Sequence, residues 1–363
     1  MVVPVPVVLQ KEQVKTLAPE VFKRVDQLSA PRLVEYWEQD PCYVQPPPMP
    51  YHYAKSGAAA MMPSPSAPPG HFGVTIEAKF EVGEYQILIL SAKESGGLEA
   101  WLRLSKYNIP KGAAAALAPY IRDQMKFFVA KVDIKKVNRD SHGLVVLSPL
   151  RFSFDSSELR LPVRLGLLNA DGQQDLLVYI LHPEKRFEVA NYRNLFIPTN
   201  LEVSNEVRKN FPGFYAELFD ETLRRNNNSG VVTEYSWQTT SCDPCPTPPL
   251  EASDLYTLGD DSFAGSAAPP NPGVPRGAMP MTPYYGSPPS YVLTRLHTRY
   301  DQKTLSDDLI FREAPPVVGG RADGAGGLGD QGAQVEKSGT NNFQGRYIIR
   351  HCSGPADVRR AIA

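Results

Sequence analysis

The 363-residue sequence predicts a strand-rich α+β fold with mostly antiparallel sheets, several short amphipathic helices and long Pro/Gly-rich loops. Three observations lead there. Extended segments outnumber helical ones along the chain. Tight Gly-containing turns join neighbouring extended segments, as antiparallel pairing requires. Proline reaches 35 of 363 residues, about twice the usual ~5%, and clusters in two stretches that, with a Gly-rich third, are unable to build a core.

Taken in order, Val14, Leu17, Val21, Val25 and Leu28 share a face at helical spacing, with Pro19 suited to a first turn. Pro31 opens a second short helix, Arg32 to Gln39, which stops before Asp40-Pro41. Val74 to Ala92 reads as two strands around a Val-Gly-Glu turn. A helical stretch runs from Leu98 to Met125, interrupted near Pro110 and Pro119, and Phe127 to Val137 is extended. Leu159, Leu161, Val163, Leu165 and Leu167 alternate with Arg160 and Arg164, which predicts a strand with one core face. After a turn at Asn169 to Gly172, the segment DLLVYIL is apolar on both faces and predicts a central strand. Phe211 to Leu223 forms an amphipathic helix closed by Asn226 to Gly230. Val231 to Trp237, Tyr291 to Arg299, Leu309 to Arg312 and Arg346 to Arg350 are extended.

These elements group into a main α+β domain over 1–259 with a Pro-rich insertion at about 41–70. A Pro-rich linker or loop spans 260–290. C-terminal strands over 291–363 pack back on the main domain, around a Gly-rich loop at about 315–343.

Charge balance restricts the partners. With 38 basic residues against 39 acidic ones, the chain lacks the footprint of a nucleic-acid binder. No run of Lys and Arg exceeds two residues, which argues against a polybasic membrane patch. No apolar run approaches the ~20 residues of a membrane-spanning helix, so a transmembrane protein is not expected. The sequence calls for no cofactor. Gly324, Gly326 and Gly329 match a dinucleotide fingerprint, but the residues after them make a poor helix start, and the phosphate site needs that helix.

The cysteines are Cys42, Cys242, Cys245 and Cys352. The Cys242-Asp-Pro-Cys245 pair sits among Pro244, Pro246, Pro248 and Pro249, which oppose the helix that would activate a redox thiol. A zinc site could join Cys242 and Cys245 to His297, His351 or Cys352, yet no second close-spaced pair completes four ligands. A structural disulfide within the pair, or from it to Cys42 or Cys352, is the favoured option for an exported chain. The six histidines are scattered, and no GxSxG elbow is present.

Several long strings carry a resemblance: VVPVPVVLQKEQVKTLAPEVFKRVDQLSAPRLVEYWEQDPC, VGEYQILILSAKESGGLEAWLRLSKYNIP, PLRFSFDSSELRLPVRLGLLNADGQQDLLVYIL, TTSCDPCPTPPL, YVLTRLHTRYD and NNFQGRYIIRH. Together they resemble the bacterial domain of unknown function 2330 family. The resemblance implies an exported protein of the bacterial envelope, with no activity assigned to the family. Family members begin with a signal sequence and a cysteine-bearing segment before the VVPVP strand, whereas this chain opens inside that strand. Cys352 falls where the sequence leaves the family pattern after His351.

Two functions compete. The favoured one is a non-enzymatic exported protein that binds or supports envelope components. The alternative is an extracytoplasmic hydrolase or metal-dependent enzyme using Cys242, Cys245 and a histidine. The resemblance implies that the native gene product starts before Met1. N-terminal sequencing of the native protein is expected to find upstream residues, and a native start at Met1 would remove that expectation.

Overall fold

The computed structural model describes residues 1–37, 73–139, 143–170, 172–242, 245–262, 290–301, 303–319 and 336–351. Cys42, Cys352, His52, His71 and His142, the 41–70 insertion and Gly324 to Gly329 lie outside these residues.

The chain opens with β1 (Val2–Val5), β2 (Val14–Thr16), α1 (Glu20–Ser29) and β3 (Arg32–Trp37). Next come β4 (Val74–Val82) and β5 (Tyr85–Ala92), joined at Gly83, whose φ of +54° is a left-handed turn position that suits glycine. Then follow α2 (Ser95–Leu104), α3 (Ala113–Arg122), β6 (Lys126–Val132), β7 (Asn138–Arg139), β8 (Val145–Val146), β9 (Leu150–Phe152) and β10 (Leu159–Leu161). The central part holds β11 (Gln174–His182), β12 (Arg186–Val189), β13 (Asn194–Phe196), β14 (Leu201–Glu202), α4 (Phe211–Arg224), β15 (Val231–Gln238), α5 (Ala252–Leu258) and β16 (Val292–Tyr300). The chain finishes with β17 (Leu309–Ala314), β18 (Val317–Gly319), β19 (Glu336–Lys337), β20 (Asn342–Gln344) and β21 (Arg346–His351).

The fold is strand-rich α+β and its pairing is mostly antiparallel. A four-stranded sheet runs β1-β6-β5-β4, with β1 at one edge, where Pro4 is tolerated. Helices α2 and α3 press Leu98, Trp101, Leu117 and Tyr120 onto Leu90, Phe127 and Val129 of that sheet. Its other face buries Ile87, Ile89 and Phe128 against Val5, Leu9 and Val14. Each fully buried side chain of this kind contributes roughly 1.5–3 kcal/mol.

The larger sheet runs β11-β16-β15-β20-β18-β19, and β13 pairs in parallel with the first half of β15. One face buries Val231 and Leu296 against Val189, Leu309 and Phe311 of the sheet β10-β17-β12. On the other face, α1 and α5 cover Tyr235, Trp237 and Leu293, while α4 covers Leu195 and Val232. Helices therefore lie on one side and a second sheet on the other.

Several sequence expectations are corrected. Arg32 to Gln39 is not a helix: Arg32–Trp37 is β3, paired in parallel with β21, because its short apolar run fits a sheet as well as a helix face. The first helix starts at Glu20 with Pro19 as its N-cap, and Val14 belongs to β2. The Leu159–Leu167 strand stops at Leu161, since Pro162 cannot donate to a ladder, and a 3-10 turn follows over Gly166–Asn169. Val163 and Leu167 are nonetheless buried between the sheets. Arg164 pairs with Asp307 and lies over the Tyr120 ring. The helical stretch from Leu98 to Met125 breaks at Pro110 into α2 and α3 as expected, but Pro119 lies inside α3 rather than interrupting it. β11 is an edge strand rather than a central one: among the described residues it pairs with β16 alone, and its apolar side chains are partly buried on both faces, with Leu177 exposed.

Val163→Asp should therefore cost several kcal/mol of unfolding free energy, because it buries an unpaired carboxylate. Leu177→Asp, on the exposed edge strand, should stay within about 1 kcal/mol. Urea unfolding of the two variants checks the difference, and equal losses would contradict the burial of Val163.

Candidate functional site

In β16 the period-two pattern puts Arg295, His297 and Arg299 on the helix-covered face. β15 runs alongside, with Val232 opposite His297 and Tyr235 opposite Arg295. The ladder slips between Thr233 and Tyr235, so Glu234 is the extra residue of a β-bulge. The bulge turns its side chain to the same face as Arg295, His297 and Arg299.

Glu234 is fully buried. Its Oε2 accepts from Arg295 Nε at 2.6 Å, and its Oε1 lies 2.7 Å from His297 Nδ1 and accepts from the Tyr215 hydroxyl of α4. Arg295 Nη1 also donates to Asp26 of α1 at 2.5 Å and to the Tyr179 oxygen of β11 at 3.0 Å, while Tyr179 donates to Asp26 at 2.8 Å. The second ring nitrogen of His297 lies 3.2 Å from Asp175, and the ring stacks on Phe219 with centroids 3.9 Å apart. Arg299 donates to Asp175 at 2.9 Å and to Asp220. The network thus ties α1, α4, β11, β15 and β16 together.

Its electrostatics follow from the pairing. Burial alone would raise the Glu234 carboxyl, but the His297 hydrogen bond, the His297 and Arg295 charges and the Tyr215 hydroxyl together hold it below its ordinary value. Asp26 is lowered in the same way: burial opposes ionisation, and the hydrogen bonds from Arg295 and Tyr179 overcome it. Burial, with Glu234 beside it, pushes the Tyr215 hydroxyl well above its usual range, so it stays a proton donor.

Tyr179 also lines a groove of about 1060 Å³ that runs along β11. Phe22, Phe154, Leu159 and Leu177 line the same groove and remain 37–47% exposed, so its wall carries grouped apolar surface. Among the described residues, the outer edge of β11 has no strand partner. The groove therefore combines exposed apolar side chains with an open row of backbone donors and acceptors.

Cys242 and Cys245 are bonded to each other, with Cα atoms 5.0 Å apart. His297 is not near them. The β15–β16 ladder ends where Gln238 faces Val292, so the segment holding Cys242 begins five β16 residues, on the order of 17 Å, from His297. Among the described residues, no group of three or more His, Cys, Asp and Glu is arranged to hold a metal ion. Sequence reasoning missed Glu234, Arg295, Tyr179, Tyr215 and Asp26. The signal available was the same-parity spacing of Arg295, His297 and Arg299 in a strand otherwise rich in apolar residues.

A family described as an uncharacterized protein conserved in bacteria (DUF2330) matches residues 1–312. The chain belongs to the DUF2330 family. No curated protein and no solved structure matches it. The groove and the Glu234 network lie within the span matched to DUF2330, whereas β20 and β21, including the NNFQGRYIIRH string, lie beyond it. No helix among the described residues is long and apolar enough to cross a membrane.

The network makes two predictions. A group whose folded pKa is lowered stabilises the fold above its unfolded pKa and loses that contribution as pH falls through the folded value. Stability should thus fall on acidification below about pH 4.3, and the decline should be shallower in Glu234→Gln, measured by urea unfolding against pH. Arg295→Met leaves Glu234 buried beside one fewer cation and should cost about 3–5 kcal/mol at pH 7. A pH profile unchanged by Glu234→Gln would contradict the first of these.

Proposed function

We propose that this DUF2330 protein is a non-enzymatic, exported binding protein of the bacterial cell envelope, whose ligand lies in the groove along β11. The observation that carries this reading is the open edge of β11 beside exposed Phe22, Phe154, Leu159 and Leu177. An unpaired edge attracts another chain by strand addition, and alternating side chains then reach apolar pockets on either side. An extended polypeptide satisfies both features, so it is the ligand class favoured here.

The polar network supports a binding role over a catalytic one. Both oxygens of Glu234 and both ring nitrogens of His297 are engaged with other side chains of the network, so their capacity is spent on holding helices to the sheet. Export is supported by the Cys242–Cys245 bond, since disulfides persist in oxidising compartments.

Two measurements test this. Alkylation of intact cells before lysis should leave Cys242 and Cys245 unlabelled until reduction, with the protein recovered in the envelope fraction; labelling of both cysteines would overturn the assignment. Leu177→Arg places a charge in the groove wall and should lower, at least tenfold, the peptide that co-purifies with the native protein under mass spectrometry. Equal recovery from wild type and variant would remove the groove as the binding site.

A further inference from the structure

Beyond the groove, the described residues between β6 and β9 form a separate exposed ribbon. β7 and β8 pair only with each other among the described residues, Asn138 opposite Val146 and Arg139 opposite Val145. The ribbon is fastened at its base. Asp133 N donates to the Glu84 carbonyl at 2.8 Å, Ser148 N donates to Glu84 Oε1 at 2.6 Å, and the Tyr85 hydroxyl donates to the Ser148 carbonyl at 2.7 Å. Both ends are therefore held at the β4–β5 turn.

Ile134, Leu144, Val145, Val146 and Leu147 are 40–81% exposed, four of them consecutive. Successive strand residues point to opposite faces, so β8 and its flanks are apolar on both sides. A flat protein partner covers one face of a ribbon, whereas a lipid interface surrounds both. Isolated two-stranded ribbons are marginal in water and gain from such cover.

Charge points the same way. Lys135, Lys136 and Arg139 are all exposed on this segment, which contains two acidic residues, Asp133 and Asp140, in a chain of net charge −1; the exposed Lys131 of β6 lies just before it. Asp133 is turned onto the backbone N–H of Lys135 at 3.0 Å, and Lys136 pairs with Glu81 at 2.8 Å. Cations beside exposed apolar side chains match anionic headgroups above hydrocarbon, and their aliphatic stems can lie along the apolar surface. The cations are close together in the sequence, but only the folded ribbon sets them beside exposed Leu144 to Leu147.

We propose that the β7–β8 ribbon docks this protein peripherally on an anionic phospholipid bilayer, inserting Ile134 and the Leu144–Leu147 side chains at the interface. The test is flotation of the full 363-residue chain with phosphatidylcholine vesicles, with and without phosphatidylglycerol. Binding should require phosphatidylglycerol and weaken with salt. It should fall at least tenfold in Ile134→Ser/Leu147→Ser and severalfold in Lys135→Glu. Leu104→Ser, which removes an exposed leucine on α2, should bind as wild type. Thermal unfolding confirms that each variant is folded, and Val146→Trp should show a blue-shifted emission on the anionic vesicles. Absence of binding, or binding untouched by the ribbon variants, would overturn the proposal. So would a dimer dissolved by Ile134→Ser/Leu147→Ser, which would assign the ribbon to a protein contact instead.

Discussion

The burial of Glu234 within the β15 bulge is the constraint on which the centre of the molecule depends. A carboxylate with no solvent access is tolerated only when paired and hydrogen-bonded on each oxygen. Its partners come from different elements: Arg295 and His297 from β16, Tyr215 from α4. A second tier, Asp26, Tyr179 and Asp175, then links α1 and β11 to the same point. A slip of β15 by one residue would turn Glu234 toward the apolar layer of Val189 and Phe311 and away from Arg295 and His297. Charge thus sets the register that apolar packing alone would leave less sharply defined.

That arrangement also creates the groove. β11 is secured by β16 on one side and by the Arg295–Tyr179–Asp26 contacts on its helix-covered face. The chain then turns at His182, whose Nδ1 accepts from the amides of Glu184 and Lys185, and enters β12 in a different sheet. The outer edge of β11 is left beside the apolar wall of Phe154 and Leu159. A nine-residue edge of this kind is an aggregation hazard in water, and a bound strand would relieve it. The β7–β8 ribbon has a comparable surplus of exposed apolar surface with a different charge environment, so the two surfaces suit different partners.

Much of the fold was legible from local pattern. The β4–β5 hairpin, α4 with its asparagine-rich exit, and the strands β15, β16, β17 and β21 follow from period and turn chemistry carried by a few adjacent residues. Asn227 and Asn228 take the positive φ that such an exit requires. Segments decided by distant partners were less legible. Arg32–Trp37 became a strand because β21, more than 300 residues later, supplied its ladder. Pro162 cut short the strand after Leu161, although alternation continues through Leu167 and still buries Val163.

The sequence by itself determined the strand-rich α+β class, the positions of most elements and membership of the DUF2330 family, because these depend on short-range period, turn residues and linear identity. Only the tertiary structure decided that β11 is an edge among the described strands, that Glu234 meets Arg295 and His297 across a bulge, and that Ile134 and Leu144 to Leu147 stand exposed on one ribbon. Those features arise from strand order and register. Both are set by contacts between residues far apart in the chain, which local pattern does not encode.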